Sequence, residues 1–140
     1  MQFDADGDEV TRVRLPDYMD PLHAVESPTG TFIVSHCYTQ LKQDQVSEVN
    51  TEGHVLSHFS GSLGFTAHIA VDSQGNIFAA DYGNHRILLL DAQLALRHVI
   101  IEGHQLNDKE PWRLCYMEQS GQLLVGLFSG RVAVFDVPQL

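Results

Sequence analysis

Lysine is nearly missing from this chain: Lys42 and Lys109 stand beside six arginines and 18 acidic residues, giving a formal charge of −10. Such a surplus sets up a negative potential that repels phosphate backbones and anionic membrane surfaces, so nucleic acid is not an expected partner of this segment. Cysteine is equally scarce. Cys37 and Cys115 are too few for a disulfide framework and lie in no Cys-x-x-Cys or other metal-ligand spacing, so both are expected to be small buried residues. Long apolar runs are absent, the longest aliphatic ones, such as "ILLL" at 87–90, falling far short of the ~20 residues that span a bilayer. The start, "MQFDADGDEV", is acidic where a secretory leader needs positive charge followed by an apolar stretch. As it stands the segment is expected to be soluble and cytoplasmic. No apolar stripe at helical spacing is sustained anywhere. No Gly-x-Ser-x-Gly, P-loop or dinucleotide fingerprint occurs, and the Ser, His and Asp residues single out no nucleophile. Nothing supports catalysis, and no cofactor or metal is expected.

What the sequence does contain is a repeat. "HIAVDSQGNIFAADYGNHRILLLD" from His68 aligns with a stretch from His23 and with "RLCYMEQSGQLLVGLFSGRVAVFD" from Arg113. Gly30, Gly75 and Gly121 are spaced by 45 and then 46 residues. Each unit runs through a short apolar segment, a polar turn with glycine, a strand such as "IFAAD", a second turn such as "YGNH", and a third strand such as "RILLLD". A fourth segment follows in the first two units. Four short strands with turn punctuation at this period are the sequence form of a propeller blade. "TFIVS" and "QLLVG" are continuous apolar runs, as befits strands covered on both faces. "TRVRL" from Thr11 alternates instead, as an outer strand with one wet face does.

The middle unit resembles an NHL repeat, the blade of six-bladed propellers found in TRIM-NHL proteins and in several extracellular and enzymatic relatives. It carries His68 at the entry, Asp72 and Gly75 in the first turn, and Asp81, Asn84, His85 and Arg86 around the second. The flanking units depart from the motif. In the first, His36 replaces the second-turn Asp, four extra residues lengthen the loop and Gln45 stands for Arg86; in the third, Leu127 replaces that Asp and only Arg131 remains of the Asn-His-Arg triplet. The resemblance implies an all-β, NHL-type β-propeller of about three four-stranded blades.

The expected boundaries are an acidic lead-in at 1–9, a spare strand at 10–15, and blade units at about 22–60, 67–103 and 111–137. Three blades leave two apolar faces uncovered, and propellers commonly close with about 4 to 8. Either the segment belongs to a longer propeller, which is favoured, or two copies join as a homodimer into a six-bladed ring.

"DYGNHR" at 81–86 has two readings. It is either a polar recognition cluster or, as favoured, a structural turn in which Gly83 and Asn84 supply positive φ, Asp81 accepts turn N–H bonds and Arg86 pairs with a carboxylate of the next blade. His54 and His58 are four apart, but on a strand that spans ~13 Å, too far to share an ion without a turn. "DADGDE" from Asp4 fails as a calcium loop, with Glu9 where glycine belongs and Leu15 where a bidentate Glu belongs. In an antiparallel meander the loop between second and third strands emerges at the same end as the connector to the next blade. That places His36, Tyr38, Phe65, His68, Tyr82, His85, Trp112, Arg113 and Phe128 on one candidate protein-binding face, the alternative for Phe65 and Trp112 being that they cover the seam between blades. The turn residues Gly30, Asp72, Gly75, Asp81, Asn84, Arg86, Gly121 and Arg131 are expected to be structural.

The leading expectation is a non-enzymatic module that binds a protein or peptide, as the substrate-recognition part of a TRIM-NHL-like ubiquitin ligase would. RNA binding, which some TRIM-NHL propellers perform through a positive face, is opposed by the charge. A metal-dependent propeller enzyme of the lyase or lactonase sort would need channel metal; the NHL-like amidating lyases hold zinc with core histidines, a constellation that cannot be matched here.

Overall fold

Among the described residues, one five-residue design recurs in the turns between neighbouring strands. It spans residues 27–31, 50–54, 72–76, 91–95 and 127–131: the first N–H donates to the fifth carbonyl and the fourth N–H to the first carbonyl. Asp72, Asp91 and Asn50 lead three of these turns, and each side-chain oxygen accepts two N–H groups from within the turn at 2.9 to 3.0 Å, the local bonding that makes Asx residues turn formers. The fourth position has positive φ throughout, held by Gly30, Gly53, Gly75 and Gly130 but by Leu94 (φ 63°) in the 91–95 turn. Leu94 accepts that conformation because its side chain is buried in the core. The turn after Met117 is different: Gly121 N–H reaches back to the Met117 carbonyl, making it one residue longer. That is the physical origin of the change from 45 to 46 in the glycine spacing.

The computed structural model describes residues 2–3, 9–38, 43–61, 63–64, 66–102, 111–127 and 130–137, and these hold thirteen strands. The strands are β1 (Gln2–Phe3), β2 (Glu9–Thr11), β3 (Met19–Glu26), β4 (Phe32–Tyr38), β5 (Gln43–Val49), β6 (Val55–His58), β7 (Thr66–Val71), β8 (Ile77–Asp81), β9 (Arg86–Leu90), β10 (Leu96–Ile101), β11 (Pro111–Met117), β12 (Gln122–Leu127) and β13 (Val132–Asp136). β3 to β6 form the first antiparallel sheet in chain order, β7 to β10 the second, and β11 to β13 a third of three strands. The first strand of each sheet lies innermost, with β7 packed beside both β3 and β11. This is a partial β-propeller. No helix among the described residues is long and apolar enough to cross a membrane.

The blades adhere through two apolar seams. Ile33 and Val46 of the first blade meet Ile69, Ile77, Ala79, Leu88 and Leu90 of the second, with Phe59 and Leu63 of the connector closing the layer. Phe78, Ala80, Ile87 and Leu89 meet Leu114, Leu123 and Val125 of the third, where Tyr116 stacks on Phe78 with ring centroids 4.9 Å apart. β8 is therefore buried along its whole length, each large side chain contributing roughly 1.5–3 kcal/mol of burial.

The two outer faces differ. On the first blade Leu15 and Tyr18 pack against Met19, Val34 and Val49, and the strand that alternation placed at 10–15 is instead Glu9–Thr11, paired in a hairpin with Gln2–Phe3. Residues 12–15 run on without strand pairing, so close to the 50–54 turn that a Cβ on Gly53 would lie 2.0 Å from the Arg14 carbonyl oxygen. On the third blade Val132 and Val134 are 66% and 55% exposed. Cys115 is exposed and Cys37 half-buried, contrary to the expectation that both are core residues; Cys115 falls on the outward parity of β11, opposite Leu114.

Candidate functional site

Asp81 ends β8 with its carboxylate completely buried. Three donors hold it: the Gly64 N–H at 2.8 Å, Asn84 Nδ2 at 3.0 Å and Arg86 Nε at 2.7 Å. Gly64 belongs to the connector arriving from the first blade, so this carboxylate latches the connector to the second-turn loop. A Cβ at Gly64 would stand 3.0 Å from Gly83 Cα and 3.1 Å from Asp81 Oδ1, which explains glycine there. Two details of the expected turn are corrected. Arg86 pairs within its own blade rather than with the next, because Asp81 and Arg86 are directly opposed across β8 and β9. Tyr82–Asn84 form a single 3-10 turn, and the positive φ falls on His85 (φ 53°), not on Gly83 or Asn84. His85 is half-buried and engaged with neighbours.

His36 does not join the loop face. It occupies the register of Asp81 in the first blade and is buried, Nε2 bonding Ser47 Oγ at 2.8 Å while no described residue bonds Nδ1. Burial lowers its pKa, opposed by the nearby Cys37 backbone and reinforced by His58. The correction follows from pleat parity: His36 and Val34 share the sheet face that Leu15 and Tyr18 cover. Tyr38 ends β4 and Tyr82 opens the 3-10 turn. Phe65 and Phe128 lie outside the described residues. The structural residues fall in their turns: Asp72 caps the 72–76 turn, Gly30, Gly75 and Gly121 take positive φ, and the Arg131 carbonyl accepts the Leu127 N–H.

Along the innermost strands the structure assembles a set that the sequence reading only half identified. His68 of β7 stacks on His23 of β3, centroids 4.0 Å apart and planes 26° from parallel. His23 Nδ1 accepts the Ile69 N–H at 3.3 Å, and His68 Nδ1 accepts the Leu114 N–H at 3.0 Å. Both pKa values fall, His68 to about 4, through burial first and then the charges of His23 and Arg113; for His23 the causes are burial and Arg113. Arg113 is exposed, its guanidinium carbon 5.3 Å from the ring centre of half-buried Trp112. The structure thus brings His68, Trp112 and Arg113 together and adds His23. The signal for His23 was available, since 23, 68 and 113 are spaced by 45.

Residues 68–88 match the model of the NHL repeat. No curated protein sequence matches the chain. Among solved structures, the WD40 β-propeller domain of Doa1 is similar at TM-score 0.65 and 19% identity, over 84% of this chain and 36% of that one. A protein of unknown function from Bacteroides caccae is similar at TM-score 0.59 and 19% identity, over 94% and 52%. A streptogramin B lyase is similar at TM-score 0.58 and 16% identity, over 91% and 43%. The chain spans about half or less of these structures. At such identities the likeness establishes the fold: a partial β-propeller that carries an NHL repeat.

Proposed function

We propose that this chain is a non-enzymatic propeller module whose connector-bearing face binds a protein or peptide. The observation that carries the reading is the grouping of half-buried Trp112, exposed Arg113 and the paired histidines at the innermost strands. Aromatic and arginine side chains at a partly desolvated rim are the residue types that dominate binding energy in protein interfaces. The Asp81 latch holds the second-turn loop beside the connector, giving that face a fixed backbone frame. In a longer parent the module would serve as the substrate-recognition part of a TRIM-NHL-like ubiquitin ligase acting in the cytoplasm. The charge of −10 weighs against RNA, and the resemblance to a lyase extends only to the fold.

A displayed-peptide library selected on the immobilised chain tests this. Selection should converge on a sequence motif, and alanine at Tyr82, His85 and Trp112 should weaken the chosen peptide about tenfold or more while the CD spectrum is unchanged. Undiminished binding by the triple variant removes this face from consideration.

A further inference from the structure

Two backbone amides fix the protonation of the innermost histidines. An N–H can only donate, so His23 Nδ1, facing the Ile69 N–H, and His68 Nδ1, facing the Leu114 N–H, must each present a lone pair. Each neutral ring therefore carries its proton on Nε2. Neither Nε2 has a hydrogen-bond partner among the described residues, and both rings are half-buried rather than enclosed, so each N–H is left to bond a group from outside. The relation repeats along the chain, each histidine accepting from the residue 46 further on. At the next step of the row stands Arg113, which has donors only. Its guanidinium has no ion-pair partner among the described residues; it lies over the Trp112 ring, and its charge reaches the two histidines.

The row 23, 68, 113 consequently offers two neutral N–H donors, one guanidinium and no acceptor. We propose that it is a binding site for a single carboxylate, supplied by the acidic residue or free C-terminus of a peptide ligand. The charge matches: one guanidinium neutralises a monoanion, whereas a phosphate dianion would be left with excess negative charge on a molecule already at −10. This assigns the chemistry that the proposed peptide-binding face reads, and so rests on that reading.

The test uses the whole chain, labelled with 15N, and long-range proton–nitrogen correlation of the histidine rings. Four probes are titrated: acetyl-Ala-Ala with a free C-terminus, acetyl-Ala-Glu-Ala-amide, acetyl-Ala-Ala-amide, and inorganic phosphate. Both rings should show the Nε2–H tautomer. Saturable shifts of both Nε2 signals should occur with one or both carboxylate peptides and not with the neutral amide, and whichever carboxylate binds names the source. Arg113→Leu should weaken that binding about tenfold, with Arg113→Lys retaining part of it and the tautomers unchanged in both. An Nδ1–H tautomer in either ring, equal shifts from the neutral amide, tighter phosphate binding, or no response to any carboxylate overturns the site. Failure of the library selection with carboxylate binding intact would count against the protein-binding function alone.

Discussion

Asp81 and His36 hold the same place in consecutive blades, and both are buried. One is a carboxylate gripped by three donors, among them a connector N–H and an arginine; the other is a ring joined to one serine hydroxyl. At the corresponding place in the third blade stands Leu127, half-buried and apolar. The second and third strands of all three sheets nevertheless pair in regular antiparallel register. The blade is thus built by its turns and apolar strands, while the Asp-Asn-Arg cluster of the NHL repeat is a latch for one connector.

The largest expected effect comes from breaking the latch. Asp81→Ala leaves Arg86 facing a buried void and Gly64 N–H unbonded, so stability in urea should fall by about 3–5 kcal/mol. The double change Asp81→Leu, Arg86→Leu, which puts leucine where the third blade has Leu127, should recover part of it, since no charge is left orphaned although the Gly64 N–H still lacks its acceptor. A single-variant loss below about 1 kcal/mol would mean that the pair behaves as an exposed ion pair and that the blades do not differ in this respect.

Gly64→Ala probes the same latch from the connector side. The added methyl would crowd Gly83 Cα at 3.0 Å and Asn84 Nδ2 at 3.2 Å, and the expected cost is about 1–3 kcal/mol. Because the two residues share a hydrogen bond, combining it with Asp81→Ala should cost less than the sum of the two. Strict additivity would show that connector and loop are energetically separate.

The period, the glycine turns and the filled strands were readable because each rests on local chemistry: an Asx or glycine at a fixed offset, or an unbroken aliphatic run. The latch was only partly readable. Asp81 and Arg86 were visible as a pair of charges, but the partner Gly64 acts through its backbone, which leaves no mark in side-chain patterning. The burial of His36 depends on pleat parity and on residues 15–18 covering that face, a long-range outcome. The histidine row was visible as a spacing, yet its meaning lies in the N–H of the next blade's strand. The N-terminal hairpin escaped because "TRVRL" alternates like a strand while its pairing partner, Gln2–Phe3, is two residues long.

The innermost row supplies a smaller effect that is visible with pH. His68 has a folded-state pKa of about 4 against an ordinary 6.5, so between those values the unfolded chain binds a proton that the folded chain refuses. Stability from this group is complete above pH 6.5 and is lost as pH falls toward 4, with His23 and His36 adding in the same direction. The ring is half-exposed, and solvent screening reduces the contribution to about 1–2 kcal/mol. Urea midpoints at pH 7 and pH 4.5 should differ by less in His68→Gln, whose amide oxygen still accepts the Leu114 N–H but does not titrate. An identical acid dependence in the variant would place the titration elsewhere.

The first blade answers the comparison with the smallest change. Ser47→Ala removes the hydroxyl from His36 Nε2 in a place already without a bond to Nδ1 from any described residue, and the expected cost is about 1 kcal/mol. Burial, reinforced by His58 and partly offset by the Cys37 backbone, disfavours charging of His36 as a way out. Pairing Ser47→Ala with His36→Leu should then restore stability to within about 0.5 kcal/mol of the parent, because the double variant removes donor and acceptor together. If His36→Leu alone already exceeds the parent in urea, the His–Ser pair is a stability cost, and the first blade would be better served by the leucine that its third counterpart carries.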